Sequence, residues 1–580
     1  MKLIEALEIL KRPPAEAAPE LKVFLACGFT PLHLQTFLTA HLRRLLPQAR
    51  IEIRTGLFGD LMGNIERLDP FDIDCIVVPL EWTDLDSRLG IRTLGGWRPA
   101  DLTDIVESAA NEATRFQRAI TGVSQHVPVV VCMPTLPLPP MFLTRPIQAG
   151  PVEAQLHQLI FSLADYLSRA SGDRIVNPQL LALRSAPADR YDVKSNLTTG
   201  FPFTLRHASV VGEVLAELVQ NRPALKGLIT DLDDTLWAGI VGDDGVDGIS
   251  WDLDHHTQMH GLYQQVLSSL AGAGTLIGVA SRNDAALVES AFERRDLLLS
   301  KADVFPLEIH WSRKSESVER ILKTWNIGPE AVIFIDDNAM ELAEVKAAFP
   351  EMECRIFPRG DDEAVWKLLS ELRMAFGKSQ VTKEDALRLA SIRDAAAWRN
   401  EGGSGESNSD EFLRSAEACI AFECCQPGAD DARAFELVNK TNQFNLNGVR
   451  FTESEWRNVL RDPACFALTA SYRDKFGLLG TIAVVLATIH GGKAHIRAWV
   501  MSCRAFSRRI EYQCLKHIFE DMGVDEVIFE YQETARNGPM RAFLADLVAA
   551  APAPGVRLKK DEFFARIPAL FHRVEVKAHA

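Results

Sequence analysis

The sequence predicts an α/β protein of three domains. With 580 residues, the chain is too long to fold around a single hydrophobic core. Short apolar runs alternate with stretches of helical spacing in three successive blocks, which we place at residues 1–204, 205–377 and 378–580. In the middle block an apolar run ends abruptly in aspartates, which is typical of a parallel strand at the functional edge of an open sheet.

The first block is predicted to be a three-layer domain with a parallel sheet, because the runs LKVFLAC, IEIRT, DCIVVPL and VPVVVCMP are separated by helical patterns. The order of elements resembles the SGNH hydrolases, but the serine, asparagine and histidine motifs of that class are missing. Thr30 and His207 offer a hydroxyl and an imidazole without specifying a triad, and Cys27 at a strand tip is a lesser candidate nucleophile. We therefore expect a catalytically degenerate domain that docks or gates a substrate.

The second block carries the clearest chemistry, in the stretch KGLITDLDDTLW. Asp231 and Asp233 are two residues apart, so on a strand their side chains share a face. Two carboxylates at one place repel each other unless a cation lies between them, and hard oxygen ligands favour Mg²⁺.

Three further segments follow in order, and two of them end apolar runs. The apolar run in TLIGVASRND ends at Ser281, HWSRKSES carries Lys314 before a helical pattern, and the apolar run in AVIFIDDN ends at Asp336 and Asp337. Taken singly, these residues are as well explained by an N-cap serine, a solvated lysine and an acidic turn. Together with Asp231, their order favours a phosphoryl-transfer site.

The four segments resemble the motifs of the haloacid-dehalogenase (HAD) phosphotransferases, which implies a Rossmann-like parallel sheet for the central domain. The resemblance implies that Asp231 attacks phosphorus and that Asp233 is the general acid and base. It assigns phosphate binding to Thr235, Ser281, Arg282, Asn283 and Lys314, and Mg²⁺ binding to Asp231, Asp233, Asp336 and Asp337. The gaps between the segments leave room for a flap at GIVGDDGVDGISWDLDHH but for no lid domain.

The third block begins with a helical linker, and its helix and strand order then resembles the Gcn5-related N-acetyltransferases (GNAT). That fold binds CoA through a glycine-rich turn, and here Ser507 and Arg509 stand at the glycine positions. We therefore expect free CoA to bind poorly and a carrier-borne pantetheine to be the ligand.

Taken together, DLDDTLWAGIVGDDG, LVNKTNQFNLN, WVMSCR and ETARN resemble the FkbH-like family. That resemblance implies removal of phosphate from a 1,3-bisphosphoglycerate-like donor and loading of the glyceryl unit, as a thioester, onto the phosphopantetheine thiol of an acyl carrier protein.

The resemblance makes Cys503 a candidate acyl relay, because Arg504, Arg508 and Arg509 would favour its thiolate. A packing role for Cys503 is an equal alternative. The residues expected to bind substrate are Asn439, Lys440, Thr441, Asn442, Gln443, Asn445 and Arg504.

Bulk composition narrows the functional classes. The net charge of −15 argues against sequence-independent binding of nucleic acid, and the absence of a long apolar run argues against a membrane span. The ten cysteines form no metal or disulfide pattern, which favours a cytoplasmic protein. The alternatives left open are a plain phosphatase for a small phosphometabolite and a non-enzymatic assembly factor.

Overall fold

A computed structural model describes residues 1–13, 18–169, 173–378, 380–382, 385, 387–393, 396, 409–425, 431–475, 477–502, 505–506 and 508–576. The described chain divides into two compact units. The first unit comprises Met1–Arg222, Asp431 and Arg450–Asp462, and the second comprises Pro223–Cys425, Ala432–Val449 and Pro463–Ala580. The predicted mixed α/β architecture with parallel sheets is confirmed.

The first unit contains a five-stranded parallel sheet in the order β2-β1-β3-β4-β5. Its strands are β1 (Glu20–Leu25), β2 (Arg50–Thr55), β3 (Cys75–Pro79), β4 (Val129–Cys132) and β5 (Asp173–Ile175). Two separate apolar clusters contain alternate residues of β1, so both faces of the sheet are covered. The helices of this unit are Leu3–Lys11, Leu32–Leu45, Leu61–Glu66, Trp82–Leu85, Asp101–Ser124, Pro151–Arg169, Pro178–Arg184, Val193–Thr199, Leu205–Gln220 and Glu453–Arg461.

Two of these helices lie outside the block predicted for this domain. Helix Leu205–Gln220, which we assigned to the start of the central domain, buries Val211, Val214 and Leu215 in the same cluster as β1. Helix Glu453–Arg461 comes from the third sequence block, and its Arg457 Nη1 donates to the carbonyl of Ser124 at 2.8 Å. Neither assignment follows from local periodicity, because both helices are amphipathic and only the packed structure shows which apolar surface each one covers.

The second unit contains a second parallel sheet, in the order β10-β9-β6-β7-β8. Its strands are β6 (Gly227–Thr230), β7 (Leu276–Ser281), β8 (Val304–Ile309), β9 (Val332–Asp336) and β10 (Glu353–Ile356). The helices around it are Val241–Asp244, Gln258–Gly272, Ala285–Phe292, Lys314–Trp325, Ala339–Ala348 and Asp362–Phe376. Gly227 and Gly278 lie under the indole of Trp325, where a Cβ would come within 2.6 and 2.8 Å of the ring. Their missing side chains let this helix pack close to the sheet.

The same unit also contains a largely antiparallel sheet in the order β17-β16-β15-β14-β13-β11-β18, with β12 paired to β15. The strands are β11 (Cys419–Cys424), β12 (Phe444–Asn445), β13 (Cys465–Asp474), β14 (Gly477–His490), β15 (Lys493–Met501), β16 (Glu526–Phe529), β17 (Val556–Lys559) and β18 (Arg573–Val576). The associated helices are Ser409–Ser415, Asp431–Lys440, Ile510–Asp521, Gly538–Val548 and Lys560–Phe564. Among the strand pairs of this sheet that the structure describes, only β15–β16 and β11–β18 are parallel.

Two kinds of prediction are left open by the fold. The specific SGNH and GNAT assignments of the flanking domains stay predictions, and Cys503, Arg504 and Ser507 lie outside the described residues. Among the helices that the structure describes, none is long and apolar enough to cross a membrane.

Candidate active site

The aspartates predicted to act together lie at neighbouring strand ends. Asp231 follows β6, and its backbone N–H donates to the carbonyl of Ile335 in β9 at 2.9 Å. Since β6 and β9 are parallel and Thr230 pairs with Ile335, Asp231 lies beside Asp336. Ser281 ends β7 on the other side of β6 and is buried. The carboxyl ends of three strands therefore bring these side chains to one edge of the sheet.

Lys314 is the centre of the carboxylate cluster. Its Nζ lies 2.7 Å from Asp231 Oδ2, 2.5 Å from Asp336 Oδ2 and 2.7 Å from Glu341 Oε2, and its side chain is only 2% exposed. Burial opposes the charge of the ammonium group, but Asp231 and Asp336 together raise the pKa of Lys314 above its ordinary value. Lys314 is therefore a fixed positive charge at the strand tips.

Two buried oxygens at this edge have no hydrogen-bond partner within the part of the chain that the structure describes. They are Oδ1 of Asp231 and Oγ1 of Thr235. A buried polar atom left unpaired costs about 1–3 kcal/mol, so such atoms in a folded protein commonly serve a ligand. Asp231 thus commits one oxygen to Lys314 and keeps the other for a reaction or a cation.

Asp233 is held by three donors and stands in a different environment. Its Oδ1 accepts from Trp237 Nε1 at 2.9 Å and from the N–H of Val241 at 3.1 Å, and its Oδ2 accepts from Asn283 Nδ2 at 2.8 Å. Burial, and to a smaller extent the charge of Asp231, raise the pKa of Asp233 although these hydrogen bonds oppose the shift. A carboxyl group with a raised pKa is suited to protonate a leaving group.

A divalent cation fits the charge of the site. Asp231, Asp336 and Glu341 each offer an oxygen within 4.8 Å of the others, and Asp337 is half-buried beside them. Burial and the charge of Asp231 raise the pKa of both Asp336 and Asp337. The four carboxylates carry more negative charge than the single Lys314 ammonium group can balance. Mg²⁺ would balance the excess charge, because it prefers hard oxygen ligands such as carboxylates.

Glu341 is a member of the cluster that sequence reasoning missed. Its Oε2 contacts Lys314, while its Oε1 forms an ion pair with Arg282 at 3.1 Å. Because both oxygens are engaged by cations, Glu341 orients Lys314 and is a weaker metal ligand than Asp231 or Asp336. The sequence does contain a signal for it, since Glu341 lies in the first turn of the helix that follows the Asp336–Asp337 pair.

Two residues predicted to bind phosphate contact protein groups. The Arg282 guanidinium donates to the carbonyl of Ser312 at 3.1 Å and pairs with Glu341 and Glu344. The Asn283 amide holds Asp233. Both residues follow the tip of β7, as predicted, and both support the residues that would meet phosphate.

The loop after Asp231 leads into the segment predicted to be a flap. Asp234 adopts a positive φ of 52°, its Oδ1 accepts from the N–H of Gly239 at 3.0 Å, and its Oδ2 pairs with Arg359. Ala238 and Ser250 form an isolated antiparallel bridge that closes this loop. Residues 231–314, all of which the structure describes, form no further domain.

The amide-rich run predicted to bind substrate makes contacts within the protein. Lys440 Nζ pairs with Glu436 at 2.9 Å, and Gln443 Nε2 donates to Asn326 Oδ1 at 3.3 Å. Asn445 Nδ2 donates to the carbonyl of Thr441 at 2.9 Å, and its Oδ1 accepts from two backbone N–H groups. Asn439, Thr441 and Asn442 belong to the same helix end and turn, and Arg504 lies outside the described residues.

In the first unit, Cys27, His207 and Thr30 make contacts within the protein. Burial, with a smaller effect of Asp84, raises the pKa of Cys27 to about 12, so its thiol stays protonated. The two ring nitrogens of His207 contact the hydroxyls of Thr135 and Ser185 at 2.9 Å, and Thr30 Oγ1 donates to the Thr199 carbonyl at 2.8 Å. Among the described contacts of these three residues there is no nucleophile–base pair, and the catalytic degeneration of this domain stays a prediction.

Comparison with known proteins adds a likeness of fold. The chain matches no protein-family model and no curated protein sequence. Among solved structures it is similar to the N-terminal part of the protein BF1531 from Bacteroides fragilis, which contains a phosphatase domain complexed with Mg. The two share 20% identity over 66% of this chain and 100% of that chain, with a TM-score of 0.52. At this identity the likeness shows the fold alone.

Other solved structures overlap too little to inform the fold. The calicheamicin glycosyltransferase CalG4 aligns with 66% of this chain and 98% of its own at 12% identity, with a TM-score of 0.15. A fungal multi-domain GH3 β-N-acetylglucosaminidase with a GCN5-related glucosamine N-acetyltransferase region also has a TM-score of 0.15, at 11% identity over 92% of this chain and 63% of that chain.

Proposed function

We propose that this protein is a Mg²⁺-dependent phosphatase of the HAD type that also loads a glyceryl-type acyl group onto an acyl carrier protein. The observation that carries the phosphatase proposal is the buried Lys314 ammonium group, which contacts Asp231 and Asp336 while Asp231 Oδ1 has no hydrogen-bond partner among the described residues. The similar structure from Bacteroides fragilis, which contains a phosphatase domain complexed with Mg, supports the same assignment.

The proposed reaction has two steps at one strand tip. Asp231 Oδ1 attacks phosphorus, the bond from phosphorus to the leaving oxygen breaks, and Asp233 gives its proton to that oxygen. Asp233 then takes a proton from water as the water oxygen attacks the aspartyl phosphate, which releases inorganic phosphate and restores Asp231. Lys314 and the hydroxyls of Thr235 and Ser281 neutralise or hydrogen-bond the phosphoryl oxygens.

Asp231, Asp336 and the backbone carbonyl of Asp233 would hold the Mg²⁺, with Asp337 nearby. When bound, the ion supplies positive charge to the phosphoryl oxygens and screens the carboxylates from one another. We expect EDTA to abolish phosphate release and added Mg²⁺ to restore it, as followed with p-nitrophenyl phosphate and phosphorylated glycerates. Undiminished activity in EDTA, with metal content below one ion per ten chains by mass spectrometry, would contradict the metal assignment.

The carrier-loading part concerns a second bond in the substrate. A 1,3-bisphosphoglycerate-like donor contains a phosphate ester and an acyl phosphate. Asp231 would hydrolyse the phosphate ester, whereas the acyl phosphate is reactive enough to transfer its acyl group to a thiol. Attack by a thiolate on the acyl carbon breaks the bond to phosphate, forms a thioester and releases inorganic phosphate. We propose Cys503 as the relay, because Arg508 and Arg509 lie close to it in sequence. In the structure these two arginines form ion pairs with Asp474 and Asp410, so the relay rests on the sequence alone.

Cys503→Ala tests this relay. We expect the variant to keep wild-type phosphate release from the ester but to leave a holo carrier protein unloaded, as measured by intact-mass spectrometry with bisphosphoglycerate. Cys514→Ala is a matched control, because Cys514 is buried in the core with its pKa raised by burial. Normal loading by Cys503→Ala would mean that the carrier thiol attacks the donor directly.

A plain phosphatase for a small phosphometabolite is the second candidate. It is favoured by the amide-rich run, whose described side-chain contacts are to the protein itself. Phosphate release without any carrier loading by the wild-type protein, across a panel of holo carriers, would select this candidate.

A further inference from the structure

Strands β15 and β16 run side by side for only part of their length. Lys493–Ile496 pair with Glu526–Phe529 in parallel, and the N–H of Glu530 donates to the carbonyl of Ile496 at 3.0 Å. Beyond this point the backbones of β15 and of residues 530–532 separate and find other partners. Two diverging strands present facing N–H and C=O groups, and such a groove accepts an extended chain that carries amides.

A segment of the protein itself occupies this groove. The segment consists of residues 444–447 and is called the insert segment below. Phe444 and Asn445 pair antiparallel with Met501 and Val500 of β15. The N–H of Leu446 donates to the carbonyl of Trp499 at 2.9 Å, and the Leu446 carbonyl accepts from the N–H of Gln532 at 3.2 Å. The insert segment is therefore hydrogen-bonded to both walls.

Two asparagine side chains complete the bridge. Asn447 Nδ2 donates to the carbonyls of Arg497 at 2.8 Å and Glu530 at 3.0 Å, one on each wall. Asn537 Nδ2 donates to the carbonyls of Asn445 at 3.1 Å and Gln532 at 2.9 Å, and Asn537 is fully buried. An extended ligand in the groove would have to replace all of these hydrogen bonds.

The apolar side chains of the insert segment belong to the core of the sheet. Phe444 packs against Trp499 and Phe543, with ring centroids 5.8 and 5.6 Å apart, and Leu446 is fully buried. Withdrawing the segment would expose both side chains and leave buried carbonyls unpaired, which is costly in a close-packed interior. These contacts are those of a permanent strand and not of a mobile lid.

We propose that the insert segment permanently closes this groove to CoA and to the pantetheine arm of a carrier. Asn445, which was expected to bind substrate, then holds the sheet together, because its side chain and its backbone carbonyl are engaged by the chain itself. The inference is independent of the phosphatase proposal. It requires that any carrier thiol reach its acyl donor outside this groove.

Hydrogen–deuterium exchange of the full-length protein tests the closure. We expect the amides of residues 444–448 and 497–501 to be protected, and their exchange to be unchanged by millimolar acetyl-CoA, pantetheine or a holo carrier protein. Saturable binding of any of these probes, with faster exchange at 444–448 and slower exchange at 530–532, would overturn the proposal. Phosphate release measured on the same sample reports on the phosphatase proposal separately.

A variant pair tests the asparagine bridge. We expect Asn447→Ala to accelerate exchange at residues 444–448 by about tenfold or more, because both bridging hydrogen bonds are lost. Gln443→Ala, which removes an exposed amide just before the segment, should leave that exchange unchanged. Unaltered exchange in Asn447→Ala would contradict the bridge, and if this variant fails to fold, the wild-type probe experiment decides alone.

Discussion

Asp231→Asn is expected to lower phosphate release to below about one hundredth of the wild-type rate, since loss of a nucleophile costs several kcal/mol of transition-state stabilisation. The substitution keeps the size of the side chain but removes the negative charge and the oxygen that has no partner among the described residues. Initial rates of phosphate release at saturating Mg²⁺ provide the measurement.

Asp234→Asn is the matched control for this change. Asp234 lies in the same loop and loses a charge in the same way, but its Oδ1 holds the N–H of Gly239 and its Oδ2 pairs with Arg359. We expect the control to keep at least about a third of the wild-type rate, because an amide oxygen can accept the same bond. Comparable losses in both variants would mean that the loop fold, and not the Asp231 carboxylate, sets the rate.

Lys314→Met is expected to have the second largest effect. It removes the ammonium group that contacts Asp231, Asp336 and Glu341 in a site where Lys314 is 2% exposed. Removing one partner of a buried ion pair costs about 3–5 kcal/mol, so we expect urea denaturation in EDTA to show a loss of this size. Phosphate release should fall by at least about a hundredfold, because the substitution removes the positive charge that stabilises the phosphoryl oxygens in the transition state.

Lys323→Met, on the same helix, provides the comparison. The Lys323 side chain is 73% exposed and pairs with Glu319 one turn earlier. A solvent-exposed pair of this kind contributes about 0.3–0.5 kcal/mol, so we expect almost no change in stability or rate. A Lys314 variant as stable and active as the Lys323 variant would show that the carboxylates do not depend on Lys314.

The sequence was sufficient to predict where the central site lies but not every partner in it. Asp231, Ser281 and Asp336 come together because apolar runs of strand length mark β6, β7 and β9, and parallel strands present their carboxyl ends at one edge. Arg282 and Asn283 were placed at the same edge for the same reason. Their partners, Glu341 and Asp233, depend on rotamers and helix packing, which strand periodicity does not encode.

Glu341 and Asn445 illustrate two further limits. Glu341 stands where a capping or solvated acid is ordinary, and only the packing of helix Ala339–Ala348 against helix Lys314–Trp325 brings it to Lys314. The amides around Asn445 have the composition of a ligand-binding loop, yet they satisfy backbone groups of their own chain. Composition shows that hydrogen-bonding groups are present, and the fold decides what they bind.

The most direct test of the central claim is detection of a phosphorylated Asp231. A rapid-quench reaction with p-nitrophenyl phosphate or a phosphorylated glycerate, followed by borohydride reduction and peptide mass spectrometry, converts an aspartyl phosphate to homoserine. We predict homoserine at position 231 in the wild-type protein and in Asp234→Asn, and none in Asp231→Asn. Homoserine at another aspartate, or phosphate release with no homoserine at position 231 at any quench time, would contradict the account.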